Sequence, residues 1–186
     1  MNVKGTTFVT AKSTITAAFG AEKWNSFMSK LAAKDIYFKN MIMSITLIPE
    51  DKFILFFDEL IKEFFNNDKE QYLLFGLVAA QYALSPGGPY HSYLLTKDLK
   101  QFVESGLSKL WATYYDKGEI NAKLENNVVH IKITGLTIKY YYFETLCLGF
   151  FKQALKLFGK KSIAKRIKSL SSGDDYIYFT YELKES

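Results

Sequence analysis

The chain has 186 residues, 48% of them hydrophobic and 23% charged, with a net charge of +5 at neutral pH. That composition excludes a disordered tail, a collagen-like rod and a disulfide-stapled mini-protein, and the length suffices for a core without metal or disulfide support. Nearly all the positive charge is lysine; Arg166 is the single arginine, so base-specific readout of nucleic acid, which relies on arginine forks, is not expected.

Val3–Thr10 predicts a short strand or an extended lead-in, followed by a helix that stops at Gly20. Trp24, Phe27, Met28 and Leu31 then recur at i, i+3, i+4, i+7, one face of a helix. Residues 35–48 show no clean period. Pro49 suits a first helical turn, and Glu50 and Asp51 behind it favour a helix N-terminus. The helix they start carries Phe53, Phe56, Phe57, Leu60, Ile61 and Phe64 on one side. Asn66-Asn67-Asp68 stops it, and Asp68 can cap a further helix bearing Tyr72, Phe75, Ala79 and Tyr82 as far as about Ala83. Ser85-Pro86-Gly87-Gly88-Pro89 is a loop.

Thr96 is placed to cap a helix from Lys97 to about Tyr115, with Leu99, Phe102, Val103, Gly106, Leu107, Leu110, Trp111 and Tyr114 on its apolar face. The period then changes from 3.6 to 2. Ile120, Ala122 and Leu124 alternate with polar residues, Glu125-Asn126-Asn127 reads as a turn, and Val129, Ile131 and Ile133 alternate again, a β-hairpin. Tyr142–Phe158 reads as a helix closed by Gly159. Residues 162–170 fit helix or strand. Ser171–Asp175 is a turn and Tyr176–Leu183 an alternating strand. The expected class is α+β: N-terminal helices plus a mainly antiparallel sheet with a long helix packed on it. A single domain over 1–186 is expected, helical through 1–115 and sheet-containing over 116–186.

The sequence is poor in catalytic patterns. His91 and His130 are the only histidines and neither has a nucleophile signature nearby. One cysteine and two scattered histidines cannot close a structural zinc site, so no metal is expected. Asp174-Asp175 lacks the alternating acids of a calcium loop, and no phosphate-cradling glycine motif occurs. Cys147, inside Leu146–Phe151, reads as a small buried hydrophobe. The N-terminus shows no apolar secretory stretch, and no run is long enough to span a bilayer, which together suggest a cytoplasmic protein.

Two features invite a function. Lys152, Lys156, Lys160, Lys161, Lys165, Arg166 and Lys168 form a basic run without an intervening acid, which reads mainly as a solvated face. The aromatic run Tyr140–Phe143, with Trp111, Tyr114 and Tyr115, reads either as plain core or as the lining of an apolar pocket with hydroxyl handles. The pocket version makes Trp111, Tyr114, Tyr141 and Cys147 the candidate ligand-binding residues.

Val3-Lys4-Gly5, then Phe19-Gly20, then Trp24 to Leu31 resemble the start of heme–nitric-oxide-binding (H-NOX) sensor domains. They also resemble an uncharacterised bacterial family, typical of myxobacteria, that looks like a heme-free relative. Leu99–Gly118 resembles the latter more. Gly149, Ala154 and Gly159, then Gly173-Asp174-Asp175 and the final strand, resemble the end shared with 4-vinyl-reductase-like domains and TRAPP vesicle-tethering subunits. The resemblance implies the same order of elements and a non-catalytic role: a sensor of a small apolar ligand, or an adaptor for a protein partner, in the form of a homodimer where relatives pair through helices. It also implies what a heme sensor needs: an axial histidine on the helix before the hairpin and a Y-x-S-x-R motif for the propionates. The helix around Leu110 and Trp111 has no histidine, and His130–Gly135 lacks the tyrosine, serine and arginine. No cofactor is therefore expected; the alternative is a heme-based gas sensor with unusual ligation through His91 or Cys147.

Overall fold

In the computed structural model, which describes residues 1–184, the chain divides into two units. The first is Met1–Gln71 with Tyr114–Asp116; the second is Tyr72–Thr113 with the residues from Lys117 on.

The first unit runs β1 (Asn2–Lys4), α1 (Thr6–Phe19), α2 (Ala21–Lys34), β2 (Leu47–Pro49) and α3 (Glu50–Phe65). β1 and β2 pair antiparallel with Val3 opposite Ile48, and Val3 also bridges to Tyr115. The helices turn apolar stripes inward: Phe8, Ala11 and Ile15 from α1, Trp24, Phe27 and Leu31 from α2, and Phe53, Phe56, Phe57, Leu60 and Ile61 from α3. Phe56 is the hub, its ring 4.7 Å from Phe8, 4.9 Å from Phe57 and 6.0 Å from Phe27. Edge and tilted ring pairs of this kind add about 0.5–1.5 kcal/mol each beyond the burial itself. Much of the aromatic excess is thus spent on a small helical core.

Pro49 lies at the N-cap of α3 rather than in its first turn, because it also ends β2, opposite Asn2. Glu50 and Asp51 do occupy that first turn. Asn66 and Asn67 both adopt left-handed backbone, which ends α3 as expected. The ambiguous stretch 35–48 holds a short 3-10 turn, Ile36–Lys39, capped by the Asp35 carboxylate accepting from the Tyr37 N–H at 2.9 Å. The loop beyond it leaves Met41, Met43, Ile45 and Leu47 outside while Ile42 and Ile48 turn in, which is why no helical period showed.

The second unit contains α4 (Tyr72–Leu84), α5 (His91–Thr96), α6 (Leu99–Gln101), a π-helical segment Phe102–Gly106 and α7 (Leu107–Tyr114, its last residue counted with the first unit). It continues with β3 (Glu119–Glu125), β4 (Val128–Thr134), α8 (Tyr141–Leu157), β5 (Lys161–Lys168) and β6 (Ile177–Lys184). The four strands form one antiparallel sheet in the order β3-β4-β6-β5. The first hairpin turns on Asn126 and Asn127, both with positive φ, the backbone a two-residue hairpin loop requires. Ile131, Ile133, Phe179 and Tyr181 are buried, and α8 covers this face, with Phe151 6.1 Å from Tyr181.

α4 and α8 meet backbone to backbone. A methyl group on Gly76 would lie 2.0 Å from the Leu146 carbonyl oxygen, and one on Gly149 would lie 2.3 Å from that of Leu73. This close approach corrects the predicted face of α4: Gly76, Ala80 and Ala83 are buried and Tyr82 is 56% exposed. Small residues, not large ones, set the distance between the two helices.

Two more boundaries differ from expectation. Thr96 ends α5 instead of capping the next helix, Lys97 takes left-handed backbone, and Asp98 caps α6 by accepting from the Gln101 N–H at 2.8 Å. The ambiguous stretch 162–170 is an edge strand, β5, as far as Lys168, with a bulge between Arg166 and Lys168, and Ser169 and Leu170 lie beyond it.

Candidate functional site

The residues singled out for ligand contact are placed as follows. Trp111 is buried on α7; its indole N–H donates to the Lys117 carbonyl at 3.0 Å, and its ring lies 6.3 Å from Phe143. Tyr141 is half-buried at the start of α8, beneath the Arg166 guanidinium at 5.5 Å. Cys147 is buried on the same helix. Cys147 lies six positions after Tyr141, so their side chains leave α8 about 120° apart. Tyr114 is buried in the first unit, 6.3 Å from Tyr115.

The aromatic run at the start of α8 is largely core. Tyr142 and Phe143 are buried, Tyr140 stacks on Tyr142 at 5.9 Å, and the Tyr140 hydroxyl bonds that of Tyr72 at 2.9 Å. Cys147 behaves as its setting dictates. Burial, with the Glu144 carboxylate adding to it, pushes the thiol far above its ordinary pKa. The native protein is expected to resist an aromatic disulfide reagent at neutral pH and to react with one equivalent once unfolded. Rapid labelling of the folded protein would contradict this.

The same helix holds a buried ionic cluster that sequence reading passed over. Glu144, in the first turn of α8, is fully buried. Its Oε2 accepts from the Ser169 hydroxyl at 2.8 Å, its Oε1 accepts from the Ser171 N–H at 2.8 Å, and Arg166 Nη1 stands 3.3 Å away. Beside it Asp174 accepts from the Ser169 N–H at 2.8 Å and from Lys168 Nζ at 3.0 Å, which holds its carboxyl below the usual range. The basic run is therefore not one surface. Arg166 and Lys168 are committed to carboxylates, while Lys152, Lys156, Lys160, Lys161 and Lys165 are exposed. A signal was present in the sequence, an acid in an apolar helix six residues after a lysine-flanked turn, but its partners were 25 and 27 residues away.

The histidines are both tied by one nitrogen. His91 Nδ1 bonds the Leu84 carbonyl at 2.8 Å, and His130 Nδ1 lies 2.7 Å from the Tyr178 hydroxyl. Among the described residues no three His, Cys, Asp or Glu side chains converge, and no helix is long and apolar enough to cross a membrane.

No protein-family model matches the chain, and no curated protein does. Solved structures do match. An H-NOX protein from S. oneidensis in the Fe(II)NO ligation state superposes with a TM-score of 0.71 at 18% identity, covering 98% of this chain and 99% of that one. The unliganded Fe(II) H-NOX protein from K. algicida gives 0.69 at 15% identity, covering 98% and 97%. A structure probing heme distortion in the H-NOX family gives 0.70 at 15% identity, covering 98% and 95%. The fold is that of H-NOX domains, α+β with antiparallel sheets.

Heme is the group this fold brings to mind, and the residues present do not fit it. Leu99–Tyr114, where the resemblance calls for an axial histidine, holds no histidine, cysteine or methionine. Trp111 on that helix is buried, its indole already bonded to the Lys117 carbonyl. The one arginine is engaged by Glu144 and so is not free to clamp a propionate. Cys147 is held as a neutral thiol, whereas iron takes a thiolate.

Proposed function

We propose that this chain is a non-catalytic sensor or adaptor domain on the H-NOX scaffold that works without heme, responding to a small apolar ligand or to a protein partner. The observation that carries the reading is Trp111. The helix on which the resemblance calls for an iron ligand carries no histidine, cysteine or methionine, and its indole is buried with its N–H bonded to the Lys117 carbonyl. The rival reading, a heme-based gas sensor, draws on His91: metal-ligating histidines donate one ring N–H to a carbonyl and ligate through the other nitrogen, and His91 Nδ1 is bonded to the Leu84 carbonyl, which leaves that role to Nε2.

Heme reconstitution separates the two. Incubation of the purified chain with hemin is expected to give no Soret band beyond that of free hemin. A stoichiometric band lost in His91→Ala or Cys147→Ala overturns the proposal in favour of the gas sensor. Native mass spectrometry then divides the ligand version from the adaptor version: a co-purified apolar molecule marks the first.

A further inference from the structure

The face of the sheet turned away from α8 plays no part in the reading above. It holds a concavity of about 380 Å³, within the size range of small-molecule sites. Its floor is built by three strands. The register sets His130 of β4 opposite Lys123 of β3, and Lys132 opposite both Asn121 of β3 and Tyr178 of β6. Glu104 and Ser108 form the rim.

The helix that supplies that rim is irregular at this point. Phe102–Gly106 is π-helical, a rare geometry that is frequent at functional sites. The widened turn sets Glu104 against the sheet edge, where Oε1 accepts from the Leu124 N–H at 3.4 Å. Phe102 and Gly106, on either side, are buried and fix the segment.

The two lysines of the floor differ in their partners. Lys123 is paired with Glu125 at 2.9 Å. Lys132 has no carboxylate partner among the described residues; its ammonium lies 4.3 Å from the centre of the Tyr176 ring, which braces the charge without cancelling it. His130 stacks on Tyr178 with 6.2 Å between ring centres, and its Nδ1 is taken by the Tyr178 hydroxyl, so Nε2 is its remaining hydrogen-bonding atom.

We infer that this concavity binds a small organic anion, its carboxylate or phosphate group held by Lys132 and His130, with Glu104 facing a hydrogen-bond donor at the ligand's other end. The site is separate from the apolar ligand or partner of the preceding section and stands whatever the outcome with heme.

The chain offers its own probe, because His91 and His130 are its only histidines. Their ring protons can be followed by NMR while inorganic phosphate is added, with His130→Gln assigning the signals. The His130 resonances are expected to shift along a saturating curve and those of His91 to stay still. Lys132→Gln is expected to weaken binding roughly tenfold, the loss of one charge-assisted hydrogen bond. Glu104→Gln, which removes the only opposing charge on the rim, is expected to tighten it. Both positions are exposed, so the fold is retained. A parallel titration with acetate tells a phosphate preference from a carboxylate one. Linear drift of both histidines, or variants that titrate like the parent, overturns the site.

Discussion

Gly149→Ala is expected to cost about 3 kcal/mol, seen as a fall of roughly 6–12 °C in Tm for a domain of this size. The added methyl would stand 2.3 Å from a backbone carbonyl of α4, and no rotamer change can relieve a clash between two main chains. The helices must separate, and separation opens voids among Phe75, Ala80, Phe150 and Ala154, all buried in those two helices. Gly76→Ala, on the facing helix, is expected to do the same. Gly159→Ala is the control. That residue has φ +75 and open space around it, so it pays only about 1 kcal/mol for left-handed backbone. If thermal denaturation ranked Gly159→Ala as the more damaging change, the close crossing of α4 and α8 would be wrong.

Glu144→Ala is expected to cost about 3 kcal/mol. It leaves the Ser171 N–H without its acceptor, takes one hydrogen bond from the Ser169 hydroxyl and removes the carboxylate beside Arg166. The cluster ties the start of α8 to the turn between β5 and β6, so the damage should be local first. Hydrogen exchange at the Ser171 amide is expected to accelerate before the global midpoint in denaturant moves. Glu144→Gln keeps an acceptor for one donor and should fall between the parent and the alanine variant. An unchanged midpoint and unchanged Ser171 exchange in Glu144→Ala would show that the cluster contributes nothing to stability.

Much of the fold could be read from periodicity. The stripes of α2 and α3, the hairpin around Asn126-Asn127 and the final strand all have a single buried face, and a single buried face writes its period into the sequence; α1 instead starts at Thr6, inside the Val3–Thr10 stretch read as a strand or extended lead-in. α4 did not, because a helix apolar all round has no face to read, and its packing is decided by glycines whose role appears only when the partner helix is in place. β5 was ambiguous for the opposite reason: as an edge strand it is mostly exposed, so little forces an alternation on it. The π-helical segment is hidden in a sequence that continues a normal apolar stripe. The ligand-binding candidates were chosen for aromatic chemistry. The structure accounts for much of that chemistry internally, through the Trp111–Lys117 and Tyr72–Tyr140 hydrogen bonds. Glu144 was passed over because a lone acid in an apolar helix announces neither its depth nor its distant serines.

The lysines of β5 acquire a purpose from where that strand ends up. As the last strand of the sheet it carries a row of main-chain N–H and C=O groups with no neighbour on one side, a template onto which any other extended chain could add itself. Lys161 and Lys165 along it, and the bulge after Arg166 that breaks its regularity, make such addition costly by charge repulsion and mismatch. Polymerisation through the sheet is thereby discouraged, and a variant stripped of those two charges would be the form to watch for fibre growth.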